Sequence, residues 1–192
     1  LVTALGKSGA IGRRLAASLA STGMRAHFVH AAEWAHGDLG NLGADSVLVA
    51  ISHSGKTAEV TFTTDLLRPT YCHCPTVSDV ISAIHTACGP TQVAGVAREA
   101  STRHVPVIGI VGRGSAAKAT PLGAAAHHVI GYELPSSVVE PFGGAPTSSI
   151  VAQDAVANAI VRALAVAIGF DARAFKQNHP GGALGEALAH VE

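Results

Sequence analysis

Aromatic side chains are scarce in this chain, at 4% of 192 residues with a single tryptophan, and charged ones are scarce too, at 14%. The charges cancel to a formal net of zero, and no basic run stands out. This composition argues against a nucleic-acid partner, because phosphate binding needs a concentrated positive patch and base stacking needs aromatic faces. No apolar run reaches membrane-spanning length and no signal peptide is recognisable, so no membrane partner is expected and the expected location is the cytoplasm. The chain begins inside an apolar, strand-like run without a Met, so upstream sequence is expected. Cysteine is limited to Cys72, Cys74 and Cys88, in one segment with His73 and His85. An odd count without framework spacing suits a reducing compartment. The cluster could hold zinc, but Cys-x-Cys is not the usual zinc spacing. Ordinary free thiols on a surface elaboration, with no metal, are the expectation.

What the chain has in abundance is aliphatic residues, with 48% hydrophobic content. At this length that is one domain with a full core. The stretch that organises it is Ser46-Val47-Leu48-Val49-Ala50-Ile51 followed by Ser52-His53-Ser54-Gly55-Lys56-Thr57. The first part reads as a strand buried on both faces, as in a parallel sheet. The second is a hydroxyl-rich turn into a helix that can start near Lys56. Hydroxyls, free backbone N–H groups and a helix N-terminus converge there, which suits a phosphate monoester. Plain helix capping by Ser54 or Thr57 is the competing reading.

Elsewhere the pattern alternates strand and helix, the signature of an α/β fold. Residues 1–5 read as a strand, the glycines of Gly6-Lys7-Ser8-Gly9-Ala10-Ile11-Gly12 as a phosphate-sized turn, and residues 13–19 as a helix. The turn fits neither a dinucleotide motif nor a Walker A loop: Ser8 and Ala10 stand where glycine is needed for the first, and Leu1 for the second. Residues 26–30 read as a second strand, and a turn follows that carries His36, either a site residue or a hydrogen-bonded turn histidine. A helix is expected over 58–67, no clear element over 69–95 apart from a helical spacing at 77–84, and another helix over 93–102. Strands are expected at 105–111 and 126–130 with a short helix between them. Residues 136–146, holding Glu140, read as irregular. Residues 147–168 read as a long Ala/Val-rich helix, apolar nearly all round, buried on both sides and suited to a partner subunit.

Five stretches in this order resemble the sugar isomerase (SIS) domain of D-arabinose-5-phosphate isomerases of the KpsF/GutQ type. They are Gly6 to Arg13, Phe28 to Gly40 through His36-Gly37-Asp38, Ser52 to Glu59, Ala145-Pro146-Thr147-Ser148-Ser149 with the long helix, and Asn178-His179-Pro180-Gly181-Gly182-Ala183-Leu184-Gly185. The resemblance implies a three-layer α/β/α sandwich around a five-stranded parallel sheet, one SIS domain over residues 1–192 with an insertion at 65–95, and a homotetramer. It implies interconversion of D-ribulose 5-phosphate and D-arabinose 5-phosphate through an enediol, without a cofactor. It places Gly6, Ser8, Ser52, His53, Ser54 and Thr57 at the sugar phosphate. Lys7, Glu59 and His179 match the family's catalytic lysine, first glutamate and histidine, and His36 a further site histidine.

The departures from the family pattern are local. Val138 stands where members carry a second catalytic glutamate, and Glu140, two residues on, is expected to take that acid/base role. His53 stands for Asn and Lys56 for an acid. The paired CBS domains of many members have no counterpart in these residues, so nucleotide regulation of that kind is not expected. Two other readings stay open: another SIS sugar-phosphate isomerase, or a non-catalytic sugar-phosphate sensor. Lys7, Glu59 and His179 favour catalysis, since a sensor needs no proton-transfer set.

Overall fold

The computed structural model describes residues 1–43, 45–58, 60 and 105–191. Five strands form one parallel sheet: β1 (Val2–Ala4), β2 (Phe28–His30), β3 (Leu48–Ser52), β4 (Val107–Val111) and β5 (His128–Gly131), in the order β2-β1-β3-β4-β5. Helices are α1 (Gly6–Ser21), α2 (Pro121–Ala125), α3 (Ser148–Ala167), α4 (Ala172–Asn178) and α5 (Gly182–Ala187), with 3₁₀ turns at Trp34–His36, Asp38–Asn41 and Gly114–Ala119. The expected helices over 58–67 and 93–102 and the cysteine-bearing insertion lie largely or wholly outside the described residues, although Ala58 and Val60 are helical.

Alternation along the strands decides the layers. Val2, Ala4, Val49, Ile51 and Ile110 pack on one face with Ile11, Leu15 and Leu19 of α1 and Ala157 of α3. Leu48, Ala50, Val107 and Val111 pack on the other with Trp34, Leu42, Val60 and Leu122. The side-chain period of two thus sends every strand to both cores, which is the three-layer α/β/α sandwich. Fully burying one such Leu or Ile contributes about 1.5–3 kcal/mol. Trp34, wholly buried, donates its Nε1–H to the buried Thr3 Oγ1 at 2.8 Å, so neither polar group is left unpaired in that core.

The fold corrects the reading of the glycine run. Residues 6–12 are not a turn but the first turns of α1, which begins directly after β1. Gly6, at φ +58°, makes the reversal alone. Gly12 instead permits a close helix–strand approach: a Cβ there would lie 2.7 Å from the Phe28 ring. The Gly-rich pattern that reads as a phosphate-sized turn is helical here, although glycine is a poor helix former.

The long helix differs from expectation in its cover. Only Ser149, Gln153 and Ala157, spaced four apart on the sheet side, are buried. Arg14 of α1 pairs with Asp154 and donates to Asn158 Oδ1 at 3.2 Å. Val151 and Val166 are 72% and 67% exposed. The helix is therefore buried on one side only within a single chain. By length and a mean hydropathy of 1.5 it could also cross a membrane, which the sequence reading missed because Asp154 and Arg162 interrupt its apolar run.

Candidate active site

In the strand order 2-1-3-4-5, connections leave β1 and β3 in opposite directions, opening a crevice at their carboxyl ends where ligands of such sheets bind. A cavity of about 240 Å³ lies there. Its floor comes from Leu5, Lys7 and Ser8 after β1, and from His53, Ser54 and Thr57 after β3. Its far wall is Glu140, Gly144 and Pro146 of the loop after β5, with Ser149 and Ile150 of α3.

The hydroxyls after β3 separate into two groups. Ser52 is buried, its Oγ 2.8 Å from Thr57 Oγ1 and accepting from Gly55 N–H at 3.1 Å, so it braces the loop rather than lining the cavity. Ser54 and Thr57 line the cavity, and Ser54 Oγ accepts from Lys56 N–H at 3.1 Å. Gly55, at φ +66°, fills the bend, and a Cβ there would collide with Thr120. Thr120 is itself fixed as the N-cap of α2, accepting from Gly123 N–H at 3.0 Å. The loop's shape is therefore set by a packed neighbour.

Glu140 stands on the cavity wall and is already engaged. Its Oε2 accepts from Thr147 N–H (2.9 Å), Thr147 Oγ1 (2.8 Å) and Ser148 N–H (2.9 Å), and its Oε1 from Ser149 N–H (2.8 Å). These are the orphan donors at the start of α3, for which Thr147 offers no side-chain cap of its own. Hydrogen bonds from Ser149, then Thr147, hold the carboxyl well below the usual carboxylate range, against a smaller opposing effect of burial. This arrangement favours the carboxylate form of Glu140, which closes the helix end while standing on the cavity wall.

His53 belongs to a chain of contacts running away from the cavity. Its Nδ1 is 2.8 Å from Tyr132 Oη, which receives Gln153 Nε2–H at 2.8 Å. Burial, then Arg113, pushes the imidazole pKa down, while Glu140 pulls it up. Burial pushes the Tyr132 phenol up to about 12.

The expected residues are thus only partly brought together. Lys7, Ser8, His53, Ser54, Thr57 and Glu140 share the cavity. Gly6 shapes the chain beside it, and Glu59 lies outside the described residues. His36 does not line the cavity: it is exposed in its 3₁₀ turn, its N–H bonded to Glu33 O. His179 does not line it either, its Nδ1 lying 2.8 Å from Phe175 O and its ring 4.0 Å from that of Phe175. Among the described residues no group of His, Cys, Asp and Glu gathers as for a metal. Tyr132 and Gln153 were missed, and only the Ala-Pro-Thr-Ser-Ser stretch flagged the wall formed by Pro146 and Ser149.

Comparison with known proteins agrees with this architecture. Residues 1–68 match the SIS domain family model. The chain is 36% identical over 188 residues to the arabinose 5-phosphate isomerase KdsD of Salmonella typhi, covering 98% of this chain and 46% of that protein. It is 32% identical to the arabinose 5-phosphate isomerase GutQ of Escherichia coli K12, covering 98% and 47%. The chain spans about half the length of the curated relatives it matches. Among solved structures, a protein of E. coli CFT073 in complex with arabinose 5-phosphate superposes with a TM-score of 0.68 at 26% identity, covering 93% of this chain and 75% of that one. With its sheet order, its switch-point cavity and these relatives in agreement, the chain carries a SIS domain and is similar over nearly all of its length to the arabinose 5-phosphate isomerases KdsD and GutQ.

Proposed function

We propose that this chain isomerises D-ribulose 5-phosphate and D-arabinose 5-phosphate through an enediol, in the cavity between β1 and β3. The observation that carries this reading is the grouping of Ser8, Ser54, Thr57 and Lys7 at the sheet's switch point, in a chain related to arabinose 5-phosphate isomerases. The hydroxyls anchor the phosphate, and Lys7 places a cation beside the oxyanion that develops as the enediol forms. Isomerisation needs a base that takes the proton from C1 of the ketose and returns one to C2, with acids serving O1 and O2. Glu59 and His179 fill these roles in this reading. Glu140 holds the wall: a carboxylate kept ionised by four donors is a poor proton shuttle, and it fixes the start of α3 beside the substrate. His36 takes no part.

His179 stands outside the cavity of its own chain, and α3 leaves an apolar face uncovered. Both features are met by a homotetramer in which the C-terminal segment of one chain completes the cavity of another. The same reading treats residues 1–192 as one SIS domain with an insertion at 65–95. It places the protein in the cytoplasm, with no cofactor, metal, nucleic acid or membrane partner required. The test is turnover by this chain of a panel comprising D-ribulose 5-phosphate, fructose 6-phosphate, sedoheptulose 7-phosphate and unphosphorylated ribulose. Conversion of the pentose phosphate alone is expected. Preferred turnover of a longer sugar phosphate, or binding without turnover, would replace this reading with the other isomerase or the sensor.

A further inference from the structure

The contacts behind His53 determine what that residue can offer a ligand. Tyr132 is 8% exposed and Gln153 1%, so their polar groups are largely cut off from water. The Gln153 amide spends its Nε2–H on Tyr132 Oη, while its Oε1 is buried without a partner among the described residues. A phenol carries one proton. Its oxygen already accepts from Gln153 Nε2–H, so that proton is available for His53 Nδ1, the nearest acceptor at 2.8 Å. An imidazole that accepts at Nδ1 is neutral with its proton on Nε2. Gly112 keeps the space for this contact: a Cβ there would collide with the His53 ring and crowd the Tyr132 hydroxyl. The His53 carbonyl, held by Gly112 N–H at 2.9 Å, fixes the backbone from which the ring projects. Nε2 has no hydrogen-bond partner among the described residues, while the side chain lines the cavity.

We propose that Gln153 and Tyr132 are positioning residues that lock His53 as the neutral Nε2–H tautomer, making it an uncharged hydrogen-bond donor to a hydroxyl or carbonyl oxygen of the bound sugar phosphate. The inference rests on the sugar-phosphate reading for the identity of the acceptor, but not for the tautomer. The lock separates functions within the cavity. Lys7 and the serine and threonine hydroxyls take the anion, while His53, kept neutral, discriminates among oxygens of the sugar by donating only. The charges that act on the ring oppose one another: Arg113 disfavours the imidazolium and Glu140 favours it, with Lys7 on the same cavity as a further cation. Burial of the ring adds to the effect of Arg113.

The experiment is a two-bond ¹H–¹⁵N correlation spectrum of the full chain labelled at histidine, with the His53 signals assigned by their loss in His53→Asn. The Nε2–H pattern is expected, and it should shift when D-arabinose 5-phosphate is added. In Tyr132→Phe the pattern should become a mixture of tautomers, and KM should rise roughly five- to tenfold, the loss of one neutral hydrogen bond, with kcat within about twofold. Gln153→Met, close in volume and lacking the donor, should move the same signal if Tyr132→Phe does not fold. His53→Asn, which retains a neutral N–H donor, should preserve activity better than His53→Ala. An Nδ1–H tautomer, or a His53 signal indifferent to both variants, overturns the relay. A locked tautomer that ignores the sugar phosphate, in a chain that still turns that sugar phosphate over, leaves the relay standing and overturns only its role as ligand donor. Absence of turnover overturns the function proposed above instead.

Discussion

Ser52 and Ser54 stand two positions apart and are employed differently, so substitutions there should be distinguishable. Ser54 lines the cavity, and Ser54→Ala should raise KM for the sugar phosphate with little change in kcat and little change in melting temperature. Ser52 is buried between Thr57 Oγ1 and Gly55 N–H, and Ser52→Ala should destabilise the fold by about 1–3 kcal/mol, the cost of leaving buried partners unpaired. Steady-state kinetics beside thermal melts separate the two, and equal KM effects with equal stability would refute the division. Glu140 supplies a second residue-scale test. Its carboxyl binds protons less readily in the folded chain than in the unfolded one. The stability it contributes is therefore fully present above the ordinary carboxylate range, and is lost as pH falls through that range toward its depressed value. Acid melts should show a shallower decline below the ordinary carboxylate range for Glu140→Gln than for the parent chain. If Glu140 instead exchanges protons with substrate, that variant would lose at least about a hundredfold in kcat. A loss of less than about tenfold, with the shallower acid profile, is the outcome expected of a helix cap.

At the scale of elements, much of the fold was legible because strand alternation is a local property. Residues 46–51 announced β3 as buried on both faces, and the sequence spacing anticipated all five strands to within a few residues. The start of α1 was not legible. Gly6 to Gly12 read as a Gly-rich phosphate turn, and what the sequence does not show is the Phe28 ring of another strand lying against Gly12, where only glycine leaves room for the helix. The site was legible where residues adjoin strand ends, as at Lys7, Ser8, His53, Ser54 and Thr57. It was not legible where partners are far apart in sequence: His53 meets Tyr132 79 positions away, and nothing local marks Tyr132 as its partner. The cover of α3 was illegible for the same reason, since an apolar stripe does not name its partner. The bend after β3 gives the element-scale prediction. Gly55 holds a positive φ against Thr120, so Gly55→Ala combines backbone strain with overpacking and should cost about 1–3 kcal/mol. Chemical denaturation measures it, and a neutral result would mean that the bend is not held by that contact.

In the proposed tetramer, whole-molecule behaviour turns on how chains meet. α3 exposes Val151 and Val166 away from its sheet-facing residues, and His179 sits apart from the cavity of its own chain. In the proposed tetramer, a Lys7→Ala chain and a His179→Ala chain carry complementary defects. Each should be inactive alone, while their co-expressed mixture should regain activity through cavities that draw Lys7 from one chain and His179 from the other. Sedimentation equilibrium of Val151→Arg should show smaller species with reduced activity, and a fully active monomer would contradict the shared site. The central claim is that the cavity carries out enediol chemistry on a pentose phosphate, and it is tested most directly by incubating the chain with D-ribulose 5-phosphate in deuterium oxide and following the products by NMR. The account predicts D-arabinose 5-phosphate carrying deuterium at C2. Binding of the sugar phosphate with neither conversion nor exchange of its C1 hydrogens into solvent would contradict it.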